Sequence, residues 1–239
     1  MAEKCLQICD MFMQVYEPST KDFPGGMNSN EENPTPGLHI MIQMHTKSEF
    51  LRLILHLVDE SCVMLDSFSP FSGKKQLESA ILYALNIIAA SLEKQNVFFD
   101  THFASNSSIL MTGCSKLLLD VNPRSGRSDH MLNITKMVTY NAWLPRQSLM
   151  GAKILHYIIL QPNVNNQLLG ILTANERTKL EIRQGFVECL DNEFYQDGES
   201  EELELAIKEE VFALLRDALP QSAPNVAHFL LGFDISKDI

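Results

Sequence analysis

The chain is poor in most of what marks a catalyst, a secreted scaffold or a nucleic-acid binder. Lys and Arg total 19 against 30 Asp and Glu, for a net charge of −11, and no Lys/Arg-rich run interrupts that balance. A protein that grips phosphate backbones needs a basic stripe, so direct nucleic-acid binding is not expected. The 11 Gly and 10 Pro are few for 239 residues and partly cluster in one loop, whereas a β-sandwich or barrel needs many turns. Trp143 is the single tryptophan. The five cysteines (Cys5, Cys9, Cys62, Cys114, Cys189) are scattered and odd in number, which fits a reducing compartment better than a disulfide framework. Cys5 and Cys9 stand four apart on one helical face, one pair short of a zinc site, and are expected to be small core hydrophobes.

Signals for export and insertion are also missing. Glu3 and Lys4 occupy the place of an apolar leader core. Lys74–Gln95 is the one stretch of membrane-spanning length, and Asn86 with the cationic start Lys74-Lys75 argues for protein packing instead. The chain reads as soluble and intracellular, without membrane insertion. Asn106-Ser107-Ser108 and Asn133-Ile134-Thr135 match a glycosylation acceptor that has no meaning off the secretory route.

The motifs of chemistry fail one by one. Ser72-Gly73-Lys74 resembles the end of a phosphate-binding loop, but Phe68 stands where that pattern needs its first glycine. Helix-start punctuation accounts for it better. There is no Gly-x-Gly-x-x-Gly, no Gly-x-Ser-x-Gly and no His-Glu-x-x-His. The seven histidines are dispersed: His39 and His45 straddle a short helix without ligand spacing, and His156 and His228 fall in apolar helices as satisfied core residues. Asp59-Glu60 and Asp191 read as acids with no complementary His or Cys nearby. No catalytic, cofactor-binding or metal-ligating residue is singled out, and no cofactor or small-molecule substrate is implied.

What the chain has is helical periodicity. Across Lys74–Gln95, the residues Leu77, Ile81, Ala84, Leu85, Ile88 and Leu92 form a broad apolar stripe, with polar residues gathered at both ends. A stripe so wide is packed from at least two sides, and Ser48–Phe68, with Phe50, Ile54, Leu57, Val58, Cys62 and Leu65, is the expected antiparallel partner. Further helices are predicted over 2–16, 38–45, 96–103, 109–119, 131–140, 145–160, 165–173, 179–190, a segment ending near Ala218 and 226–231. Between Glu193 and Glu210 lies a run of acids, expected as a solvated loop and helix N-terminus. Glu17–Pro36, rich in Pro, Gly, Ser and Asn, reads as a long mobile loop and the best boundary in the chain. The organisation expected is therefore 1–36, an N-terminal helix with its loop, and 37–239, one continuous helical unit. Thr35-Pro36 and Ser69-Pro70 match proline-directed phosphorylation dipeptides but read first as loop chemistry. About a dozen helices without strand periodicity predict an all-α fold of stacked antiparallel helix pairs, an α-solenoid segment rather than a closed bundle.

Several stretches taken in order carry a resemblance. They are Phe71-Ser72-Gly73-Lys74-Lys75 with Leu77-Glu78, Val121-Asn122-Pro123-Arg124, Asp129 through Asn133-Ile134, and Ala152-Lys153-Ile154-Leu155. Gly185-Phe186-Val187-Glu188-Cys189-Leu190-Asp191 and Pro224-Asn225 with Leu230-Leu231-Gly232-Phe233 complete the set. Together they resemble the middle portion of the large scaffold nucleoporins of the nucleoporin 205 and nucleoporin 192 family, except at 17–36 and 194–202. That resemblance implies a HEAT- and armadillo-like solenoid without a catalytic site, located at the nuclear envelope in the nuclear pore complex. It implies other scaffold and linker nucleoporins as partners, and a chain that is a fragment, a truncated product or an isoform. The competing reading is a soluble helical-repeat adaptor, like a transport receptor, whose acidic surface binds basic ligands.

Overall fold

The computed structural model describes residues 1–22, 35–67, 69–104, 109–121, 129–191 and 198–233. Among these, eleven α-helices form and no strand does: α1 Ala2–Val15, α2 Pro36–Met44, α3 Glu49–Asp66, α4 Lys74–Ala104, α5 Cys114–Leu119, α6 Asp129–Lys136, α7 Pro145–Ile159, α8 Asn165–Leu172, α9 Glu176–Asp191, α10 Gly198–Ala218 and α11 Val226–Leu230. Short 3-10 turns occur at Thr20–Asp22 and Met137–Tyr140. The all-α expectation holds, with the helix pairs of a solenoid segment. The chain divides into two compact units, Met1–Ser61 with Ser67–Leu117, and Cys62–Asp66 with Leu118–Ile239.

In the first unit α4 is the axis, and it is longer than its sequence reading. Two helices were expected across Lys74–Phe103, separated at Gln95-Asn96; one helix of 31 residues forms instead. Neither Gly nor Pro interrupts it, and the buried stripe Ile81, Leu85, Ile88, Leu92 continues through Gln95, Phe98 and His102 at helical spacing. Gln95 looked like a polar end but is buried, accepting from the Ser115 N–H at 3.2 Å and donating to Ser115 Oγ at 3.2 Å. Its tightest neighbour is α1, not α3 as expected. Gly73, at φ +87°, opens α4, and Leu77 N–H donates to its carbonyl at 2.9 Å; that is helix punctuation, as expected, with no strand before it. Thr35 caps α2, its hydroxyl accepting from Leu38 N–H at 3.3 Å, with Pro36 in the first turn. Residues 23–34, most of the predicted loop, lie outside the described residues, as do 105–108 with the first glycosylation pattern and the linker portion 192–197 of the acidic run.

In the second unit α7 packs most closely on α10, while the 3-10 turn Met137–Tyr140 is wedged against α7 and α9. The wedge demands small residues. A Cβ on Gly185 would lie 2.9 Å from the Thr139 Cα, and one on Gly151 2.8 Å from the Ile134 carbonyl oxygen. Asn141, 4% exposed, donates from Nδ2 to the Gly185 carbonyl and to Cys189 Sγ, both at 3.3 Å. The predicted helix 131–140 thus becomes α6 plus a tight turn, and 109–119 shortens to Cys114–Leu119 because Thr112 N–H is taken by the His45 carbonyl at 2.7 Å.

Candidate functional site

Polar side chains inside each unit serve as pegs between helices. In the first unit Asp10 of α1 is 8% exposed; Asn86 of α4 donates to its Oδ2 at 2.9 Å and Gln14 to its Oδ1 at 3.0 Å. Lys94 of α4 directs its ammonium at the C-terminal end of α1, donating to the Met13 carbonyl at 3.0 Å and to the Tyr16 carbonyl. A cation there satisfies carbonyls that the helix leaves unpaired and meets the negative end of its dipole. His45 is fully buried; its Nδ1–H donates to the Met41 carbonyl at 2.8 Å, and Phe98 and Phe99 each lie 5.3 Å from its ring centre. Desolvation brings its pKa down to about 4, against the raising effect of the Met41 bond.

In the second unit Asp66 accepts from the Tyr140 hydroxyl at 2.6 Å and from the Lys136 ammonium, which also pairs with Glu181 at 3.6 Å. Burial first, then Cys62 and Asp66, holds the Tyr140 phenol well above its ordinary range. His156 of α7 lies between Glu210 and Asp217 of α10, at 2.7 and 3.0 Å. It is a satisfied histidine, as expected, but its partners are carboxylates. His228 bonds Asn225 Oδ1 at 2.8 Å.

Burial raises the thiols of Cys189 and of Cys114, the latter up to about 12, so neither is a nucleophile at neutral pH. Cys5 is exposed and Cys9 half-buried, which corrects their placement in the core. No group of three His, Cys, Asp or Glu among the described residues has a metal-holding arrangement. Glu60, read as lacking a His nearby, has His56 one turn before it at 4.0 Å, a pair about two-thirds exposed. No helix among the described residues is long and apolar enough to cross a membrane. Ser69 is exposed, its hydroxyl 3.3 Å from the Ser67 carbonyl.

What remains for recognition is surface. Leu205 and Phe212 of α10, and Leu219 just past its C-terminal end, are spaced seven apart and each more than half exposed. Phe186, Val187, Leu190, Val211, Leu215, Leu230 and Leu231 line a groove of about 170 Å³ between α9, α10 and α11. On α1 the outward residues Ile8, Met11 and Val15 are more than half exposed while Met13 is fully buried. Sequence reading missed these features because a helix that is apolar on two faces resembles one that is merely hydrophobic.

The family model described as nuclear pore complex scaffold, nucleoporins 186/192/205, matches residues 1–239. The chain belongs to this family. Among curated proteins it is 38% identical to the nuclear pore complex protein Nup205 of Drosophila melanogaster, over 98% of the chain and 14% of that protein. It is 32% identical to the human nuclear pore complex protein Nup205, over 100% of the chain and 13% of the human protein. The chain thus spans about one-seventh of the length of these scaffold nucleoporins.

Proposed function

We propose that this chain is a structural segment of the nuclear pore complex scaffold, supporting pore assembly and nucleocytoplasmic transport through its helical surfaces. One observation carries the reading: the scaffold-nucleoporin family model extends from the first residue to the last. The physical character of the chain supports it. Its buried polar side chains join helices, its buried thiols are silent, and its outward apolar residues suit packing against other helices. The partners are other scaffold and linker nucleoporins, and the place is the nuclear envelope at the pore. No catalysis, cofactor, nucleic-acid contact or membrane insertion belongs to the role.

The test is localisation of the gene product tagged at its own locus. A continuous rim at the nuclear envelope, with co-purification of scaffold nucleoporins, is expected; a diffuse cytoplasmic signal overturns the reading. The adaptor alternative relied on the acidic run 193–210. Part of that run is already spent, since Glu210 engages His156 and Glu204 pairs with Lys208 at 2.7 Å. Salt-sensitive capture of basic ligands, without scaffold nucleoporins, would favour the adaptor instead.

A further inference from the structure

In the second unit the imidazole of His156 has a carboxylate at each nitrogen. Nδ1 is 2.7 Å from Glu210 Oε1 and Nε2 is 3.0 Å from Asp217 Oδ2. An ionised carboxylate only accepts, so both contacts are hydrogen bonds only if both ring nitrogens carry protons. The side chains of His156, Glu210 and Asp217 are 12%, 18% and 26% exposed, which shields them from the screening that makes surface pairs weak. We infer that His156 is an imidazolium that pins α10 to α7, and that loss of its proton loosens this contact, making the pair a pH-dependent clamp within the second unit.

Deprotonation leaves a lone pair facing one of the two carboxylates, so an attraction becomes a repulsion at hydrogen-bond distance. The arms are unequal. Arg216 holds Asp217 independently, with Nε 2.7 Å from Oδ1 and Nη2 3.0 Å from Oδ2, whereas His156 is the one cation paired with Glu210 among the described residues. Besides α10, the elements packed most closely on α7 are α6 and the turn Met137–Tyr140, and α9 reaches it where Cys189 meets Ser148, with Glu188 beside that cysteine. At the junction of α6 and the turn, Lys136 is turned to Asp66 and Glu181, and the start of α6 carries Asp129 and His130. Lys153 lies one turn before the ring on α7 itself. The hydrogen bond to Glu210 raises the His156 pKa above its ordinary value, against desolvation, with Asp217 adding to the rise. The folded value lies above the unfolded one, so the clamp's stabilisation is complete below about pH 6.5 and is lost as pH rises through the folded value.

The test is ring-nitrogen NMR of the full chain across the neutral range, joined to hydrogen exchange of the α10 amides corrected for intrinsic rates. Both ring nitrogens should be protonated at neutral pH. The midpoint should lie above ~6.5 and fall in Glu210→Gln more than in Asp217→Asn. The α10 opening constant should rise by up to about tenfold per pH unit between ~6.5 and the folded midpoint, and His156→Gln should flatten that rise. A single neutral tautomer at neutral pH overturns the inference, as does an unchanged pH dependence in His156→Gln. Should His156→Gln fail to fold, Glu210→Gln decides through the ring titration: an unshifted midpoint overturns the clamp.

Discussion

His45 and His156 differ in charge at neutral pH because of what surrounds them. His45 is enclosed by the aromatic rings of α4, and among the described residues its Nε2 has no hydrogen-bond partner. Its pKa in the folded state, about 4, lies below the unfolded value, so its contribution to stability is complete above about pH 6.5 and is lost as pH falls toward 4. The full loss is on the order of 3 kcal/mol. Acid unfolding of the chain followed by fluorescence should show it, and His45→Gln should flatten the profile in that window. Reactive thiols give a second expectation at this scale. A thiol reagent on the native chain should label exposed Cys5 quickly and half-buried Cys9 slowly, leaving Cys62, Cys114 and Cys189 unmodified until denaturant is added. Native labelling of Cys114 would contradict its placement.

At the scale of the element, α4 is held by apolar contact on its stripe and by polar pegs at its rim. Ile81 and Leu85 are fully buried, so Asp at either position places an uncompensated charge in the core and should cost several kcal/mol, about the whole stability of a domain. Thermal melting checks this, and a variant that melts like the parent would refute the packing of α4. Lys94→Met should act more locally, loosening α1 by about 1–2 kcal/mol as the Met13 and Tyr16 carbonyls lose their donor, seen as faster amide exchange in α1 alone. Glycines divide by surroundings. Gly185→Ala drives a Cβ to 2.9 Å from the Thr139 backbone and should destabilise by about 1–3 kcal/mol, whereas Gly170, with nothing within 4 Å, should accept Ala neutrally or with a gain up to about 1 kcal/mol. Denaturant midpoints of the two variants make the comparison.

For the molecule as a whole, each compact unit carries a histidine with the opposite response to pH. The His45 contribution to the first unit fades on acidification, and the His156 contribution to the second fades on alkalinisation. Hydrogen exchange resolved along the chain should show the two units opening at opposite ends of the pH range. His45→Gln and His156→Gln should each remove the response of their own unit only. A single response shared by both units would mean that they open together. The acidic balance of the chain, −11 overall, adds a general repulsion that salt should relieve in both units alike, which separates it from the two histidines.

Periodicity was enough to establish the all-α class and most helix centres, since the stripe Ile81, Leu85, Ile88, Leu92 needs only the 3.6-residue repeat to be seen. The ordered motifs from Phe71 to Phe233 sufficed for the family. Helix ends and neighbours were another matter. Gln95 and Lys94 read as a polar terminus because their partners, Ser115 and the carbonyls of Met13 and Tyr16, are at least 20 residues away in sequence. The charge on His156 has the same origin, with Glu210 and Asp217 standing 54 and 61 residues further along the chain. Hydrophobic repeats act between residues three or four apart and are written locally. A buried polar group is decided by whichever partner the tertiary fold brings to it, and only the fold determines that partner.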